Sequence, residues 1–155
     1  MEYKITTRDE SQTLELAQNI ASERFPNMII CLSGDLGSGK TVFTKGLAIS
    51  LGIDEIITSP TFNIIKEYNA VEMPLFHMDV YRLNGDITTL GLEEYFNKDG
   101  IVAIEWADTI TSYLPKERLE IKIKVIDEDT RVFVIKPYGK QYEDLCEAVL
   151  WLIFY

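Results

Sequence analysis

Met28-Ile29-Ile30-Cys31-Leu32 is followed, after Ser33, by Gly34-Asp35-Leu36-Gly37-Ser38-Gly39-Lys40-Thr41. The first five residues form a short continuous apolar run, the pattern of a strand buried on both faces. The next eight satisfy G-x-x-x-x-G-K-[ST], and the residues after them keep helical spacing, with Phe43, Leu47, Ala48 and Leu51 apolar and Gly52 as a stop. Strand, glycine loop and helix in that order are the context in which this motif carries meaning. Glycines let successive N–H groups turn inward to form a nest for phosphate oxygens, and the positive end of the helix strengthens its field. Lys40 is expected to reach the β- and γ-phosphates, and the Thr41 hydroxyl to bind Mg²⁺. The loop predicts nucleotide binding through Gly34, Asp35, Leu36, Gly37, Ser38, Gly39, Lys40 and Thr41.

Outward from the loop, strands mix with helices. Thr7-Arg8-Asp9-Glu10 has the form of a capping box with Thr7 as N-cap. It opens a helix whose apolar face carries Leu14, Leu16, Ala17, Ile20 and Ala21, and Phe25-Pro26-Asn27 stops it. Asn63–Tyr68, Leu75–Val80 and Ile101–Ile104 read as strands, with a helix around Ile87–Phe96 between the last two. Leu119 to Ile126 alternates, Asp127-Glu128-Asp129-Thr130 turns, and Arg131–Lys136 returns, which predicts an antiparallel hairpin. A final helix is expected from about Gln141. The fold class is α/β: a three-layer P-loop domain over residues 1–155, with a mostly parallel central sheet and the hairpin at its edge.

Composition sets the outer bounds. The chain has 155 residues, 25 Asp and Glu against 15 Lys and Arg, and a net charge of −10. That field repels nucleic-acid phosphates and anionic lipids, so it argues against a nucleic-acid binder in its own right while allowing one local basic pocket. Cys31 and Cys146 are too few for a disulfide scaffold and lack the spacing of a zinc site. Met1–Thr6 lacks the apolar core of a signal peptide, and the longest apolar run, Ala148–Tyr155, is too short to span a bilayer. The expectation is a cytoplasmic protein with no membrane association. The terminal run itself reads as part of a packed helix or as a partner-docking surface.

A phosphate loop needs a carboxylate at the end of a neighbouring strand, and two segments supply one. Ile101-Val102-Ala103-Ile104-Glu105 precedes Trp106, and Leu75-Phe76-His77-Met78-Asp79 is similar but interrupted by His77. Both acids fall at the sheet edge where α/β proteins bind ligands. One is expected to hold Mg²⁺ and the other to orient the attacking water. His77 shares a face with Asp79, and a lone histidine suits a structural or gating role better than a protein-only metal site.

Five segments, Gly34–Thr41, Ser59-Pro60-Thr61-Phe62, His77-Met78-Asp79-Val80-Tyr81-Arg82-Leu83, Gly91-Leu92-Glu93-Glu94-Tyr95-Phe96 and Ile104-Glu105-Trp106, occur in this order. Together they resemble the TsaE (YjeE) family, small bacterial P-loop ATPases of tRNA threonylcarbamoyladenosine biosynthesis, over roughly residues 5 to 135. The resemblance implies a weak, Mg²⁺-dependent ATPase working in a complex with TsaD and TsaB, with tRNA held mainly through those partners. It assigns Lys40, Asp79 and Glu105 to catalysis, Thr41 and Glu105 to Mg²⁺, and Asp79 to a switch near the γ-phosphate. Thr61 falls in a switch-like loop, Trp106 beside the site, and Thr7, Glu10 and Arg131 on the side of the base and sugar. Val80 stands where the family usually has Leu.

Two other classes fit less well. A small-molecule P-loop kinase needs several arginines around two phosphorylated substrates. This chain has only Arg8, Arg24, Arg82, Arg118 and Arg131, and of these only Arg82 lies in a site-like segment. A GTP switch is excluded because Asn97-Lys98-Asp99-Gly100 places its aspartate one residue early and precedes a strand.

Overall fold

The computed structural model describes residues 1–60, 64–81, 83 and 91–150. Seven strands make one sheet: β1 (Tyr3–Thr7), β2 (Met28–Ser33), β3 (Ile65–Tyr68), β4 (Leu75–Asp79), β5 (Ile101–Glu105), β6 (Arg118–Val125) and β7 (Arg131–Tyr138). Their order is β1-β7-β6-β2-β5-β4-β3. The four central strands β6, β2, β5 and β4 are parallel, whereas β7 with β6, β1 with β7 and β3 with β4 pair antiparallel. The expected hairpin is present, but β1 covers its outer edge, so the hairpin is internal.

The two faces of the sheet are covered differently. Helices α1 (Glu10–Ser22), α2 (Lys40–Ser50) and α3 (Lys140–Val149) share one core with Leu32, Leu75, Ala103, Ile121 and Phe133. On the opposite face, 3₁₀ helices Leu92–Asn97 and Ala107–Tyr113 pack on Ile29, Cys31, Met78 and Ile104. Apolar runs in β2 and β5 follow directly from this double burial, and β4, though interrupted by His77, is buried throughout.

Helix ends show where local chemistry acts. At the end of α2, Gly52 N–H bonds Ile49 O and Ile53 N–H bonds Ala48 O, the paired bonds of a Schellman stop. The start of α1 corrects the expected cap. Asp9, not Thr7, is the N-cap, accepting from Gln12 N–H at 2.8 Å, while Gln12 Oε1 accepts from Arg8 N–H at 2.8 Å. Thr7 cannot cap because it is the last residue of β1, paired with Arg131, and its hydroxyl lies 2.9 Å from that of Thr13. The helix expected around Ile87–Phe96 is a 3₁₀ helix in its described part, Leu92–Asn97, and its start lies outside the described residues. Among those residues no helix is long and apolar enough to cross a membrane. Residues 151–155 of the apolar terminal run also lie outside them.

Candidate functional site

The loop from Gly34 to Gly39 leaves β2 at the centre of the sheet and enters α2, so it stands at the carboxyl edge of the parallel strands. Gly37 and Gly39 have φ of 77° and 113°, which disfavour any residue with a Cβ. A Cβ built at either would meet no atom within 4 Å, so the loop faces open space. That space is a cleft of about 490 Å³ whose lining includes Lys40, Thr41, Ser59, Asp79, Glu105 and Trp106. Leu36 projects at its rim, 90% exposed.

Lys40 is the best-held cation of the site. Its Nζ donates to Gly34 O at 2.6 Å and Asp35 O at 2.9 Å, and sits 4.1 Å from the centre of the Trp106 ring. Burial pushes its pKa below the usual lysine value, opposed by the nearby carboxylates of Glu105, Asp79, Asp35 and Asp108. An anion entering the cleft would act against that desolvation, because an opposite charge nearby favours the protonated lysine. Trp106 is brought over the lysine by a backbone with φ of 63°, a strained conformation for a bulky residue. Tyr81 packs against its indole at 4.6 Å between ring centres.

The two expected carboxylates come together through strand register. Asp79 and Glu105 are direct partners in the β4–β5 ladder, and both are buried. Thr41 Oγ1 donates to Glu105 Oε2 at 3.0 Å. A hydroxyl and a carboxylate side by side are hard oxygen donors that fit Mg²⁺, which keeps water and phosphate oxygens as its other ligands. Asp79 is oriented differently: its Oδ2 accepts from Ser59 Oγ at 3.0 Å and its Oδ1 from Tyr81 N–H at 3.0 Å. The contact not foreseen is His77, wholly buried, whose Nε2 bonds Glu105 Oε2 while Nδ1 has no partner. Alternation along β4 placed His77 on the face of Asp79, but choosing Glu105 as its partner requires the strand register.

Residues expected on the base and sugar side divide. Glu10 and Arg131 line a second cleft of about 230 Å³ with Asp9, Thr13, Ser38 and Asp129, on the other side of the loop. Thr7 does not line it; it is buried behind Thr13. Arg131 donates to Ser38 O at 2.9 Å and Gly37 O at 3.5 Å, and to Asp127 O and Thr130 O of the β6–β7 turn at 2.8 and 3.1 Å. Carbonyl and N–H point oppositely in a peptide plane. Holding Ser38 O outward therefore turns the Gly39 N–H toward the loop interior. Thr61 and Arg82 lie outside the described residues.

A central parallel sheet with its glycine loop running into α2 is the P-loop nucleoside-triphosphatase fold. The chain belongs to the TsaE family: the family model described as "Threonylcarbamoyl adenosine biosynthesis protein TsaE" matches residues 7–133. It is 47% identical over 148 residues to the tRNA threonylcarbamoyladenosine biosynthesis protein TsaE of Bacillus subtilis, covering 96% of this chain and 94% of that one. The protein of the same name from Nostoc sp. is 37% identical, covering 92% of this chain and 90% of that one. The crystal structure of B. subtilis YdiB superposes with a TM-score of 0.86 at 43% identity, covering 98% of this chain and 96% of that chain.

Proposed function

We propose that this protein is a cytoplasmic, Mg²⁺-dependent ATPase that supports tRNA threonylcarbamoyladenosine modification in a complex with TsaD and TsaB. The observation that carries the reading is the convergence of Lys40, Thr41, Asp79 and Glu105 on one cleft at the carboxyl edge of the sheet. The loop amides and Lys40 bind the phosphates, with Lys40 exchanging its two carbonyl partners for phosphate oxygens. Thr41 and Glu105 hold the metal, which when bound offsets the charge developing on the transferred phosphoryl group. Asp79, fixed by Ser59 and Tyr81, orients the attacking water. His77 keeps Glu105 turned toward Thr41. Commitment of Arg131 to backbone carbonyls favours hydrolysis over a kinase, since it leaves that arginine unavailable to a phosphorylated acceptor.

The direct test is phosphate release from ATP with no acceptor present, then with TsaB–TsaD and with tRNA added. Slow release that the partner pair alters is expected, and Lys40→Ala is expected to abolish it. Unchanged turnover in that variant would remove the phosphate-loop assignment. Transfer of phosphate to a metabolite with negligible release would establish a kinase instead.

A further inference from the structure

The sheet is not covered equally on its second face. The 3₁₀ helix Ala107–Tyr113 lies over part of that face, but a groove of about 360 Å³ beside it is floored by Cys31 and Ser33 of β2, Glu120, Lys122 and Lys124 of β6, and Val134 and Lys136 of β7. Strand alternation puts Lys4 of β1 on this face too, because Lys4 pairs with Val134, which pairs with Lys122, which aligns with Ser33. All four lysines are exposed, and none of them makes an ion pair among the described residues. Four of the fifteen basic residues of an acidic chain thus gather on one face of three adjacent strands.

The acids that share the face are few. Glu120 is neutralised by Arg118, whose Nε donates to it at 2.9 Å. That leaves Glu2 and Asp108 at the rim of the groove. Adjacent strands lie about 5 Å apart and alternate residues about 7 Å apart along a strand, so Lys122 falls within roughly one Debye length of each of Lys4, Lys124 and Lys136 at moderate salt. Their fields therefore add locally despite the net charge. A spacing near 7 Å along β6 also matches successive phosphates of a nucleic-acid strand. The face reaches the P-loop edge, since Ser33 precedes Gly34 and Ala107 follows Trp106.

We infer that the open face formed by Lys4, Lys122, Lys124 and Lys136 is a docking surface for the phosphodiester backbone of RNA. An RNA partner fits the pathway in which the relatives are named, and a floor whose free charges are lysines, Glu120 being paired with Arg118, offers phosphate contacts without base readout. The surface adds to the hold of any protein partners; four contacts give a weak, salt-sensitive grip.

The test uses the full chain and fluorescently labelled unfractionated tRNA at 50 mM KCl and upward. The face variant is K4Q/K122Q/K124Q/K136Q, and the control K45Q/K66Q/K98Q/K116Q carries the same charge change elsewhere. For four contacts the wild type should show a slope of about −3 to −4 in log K against log salt. The face variant should lose at least about tenfold in affinity and most of that slope, with the control within about twofold of wild type. Equal losses in both variants, or no binding by the wild type, would overturn the inference. So would a face variant that keeps tRNA binding but loses the TsaB–TsaD pair, which would assign the surface to an acidic protein. ATP hydrolysis by the face variant alone should be unchanged, so the outcome stands apart from that of the ATPase assignment.

Discussion

Glu105 and Asp79 are neighbours across a ladder, yet different partners hold them. Glu105 is bonded by Thr41 and His77, whereas Asp79 is held by Ser59 and a backbone N–H. Glu105→Ala should therefore raise the Mg²⁺ requirement of hydrolysis more than it weakens metal-free nucleotide binding. Asp79→Ala should bind ATP nearly as before while losing turnover. Parallel Mg²⁺ and nucleotide titrations check both, and equal loss of metal-free binding in the two variants would show that the carboxylates only maintain the fold. Arg131, expected on the side of the base and sugar, lines the second cleft and also bonds the loop backbone. Arg131→Ala should weaken ATP binding by about tenfold or more, the cost of freeing charge-assisted bonds. Arg131→Lys should recover little, because an ammonium cannot span loop and hairpin turn with a planar fork. Full recovery in the lysine variant would mean that charge alone is what matters.

Between elements, α1 and α2 approach closely at Gly46. A Cβ at Gly46 would stand 2.5 Å from the Ala17 Cβ and 2.7 Å from Leu14 O, one of them rigid backbone. Gly46→Ala should lower the unfolding free energy by about 1–3 kcal/mol, as overpacking does, with a lower urea midpoint and little change in slope. An unchanged midpoint would show that the two helices can part at no cost. The same scale explains what could be read in advance. Buried runs such as Met28–Leu32 and Ile101–Ile104 declare their strands by hydrophobicity alone, and the glycine loop declared the helix after it. Tyr3–Thr7 escaped notice because an edge strand buried on one side needs only Ile5 and Thr7 inside, too short a pattern to detect. The misplaced cap of α1 has the same origin, since Thr7 looks like a cap until its ladder with Arg131 is known. Of the candidate site, types and spacing pointed to Lys40, Thr41, Asp79 and Glu105, which the fold brings to one cleft, while the contacts of His77, Tyr81 and Arg131 depend on register and chain crossings that no local pattern encodes.

At the scale of the whole molecule, several ionisable groups are kept neutral by the core. Burial pushes the Cys31 and Cys146 thiols and the Tyr142 phenol up to about 12, and Tyr142 also accepts the Ile29 N–H at 2.8 Å. Unfolded, these groups ionise near 9 and 10, so the unfolded chain releases protons first as pH rises. Their stabilisation is complete below about pH 9 and is lost progressively toward pH 12. Urea midpoints in reducing buffer should hold from pH 7 to 8.5 and fall steeply by pH 11; a flat profile would show that the thiols and phenol ionise without disturbing the core. The sheet order also bears on how the chain is made. Of the strands in this sheet β1 leaves the ribosome before the rest, and its neighbour is β7, which begins at Arg131. At about 5–20 residues per second, translation leaves that strand waiting roughly 6 to 25 seconds for its mate. The strand of the sheet made before the others is thus among the last to be seated, and Arg131, the residue that closes the ladder at Thr7, is also the one that ties the hairpin turn to the phosphate loop.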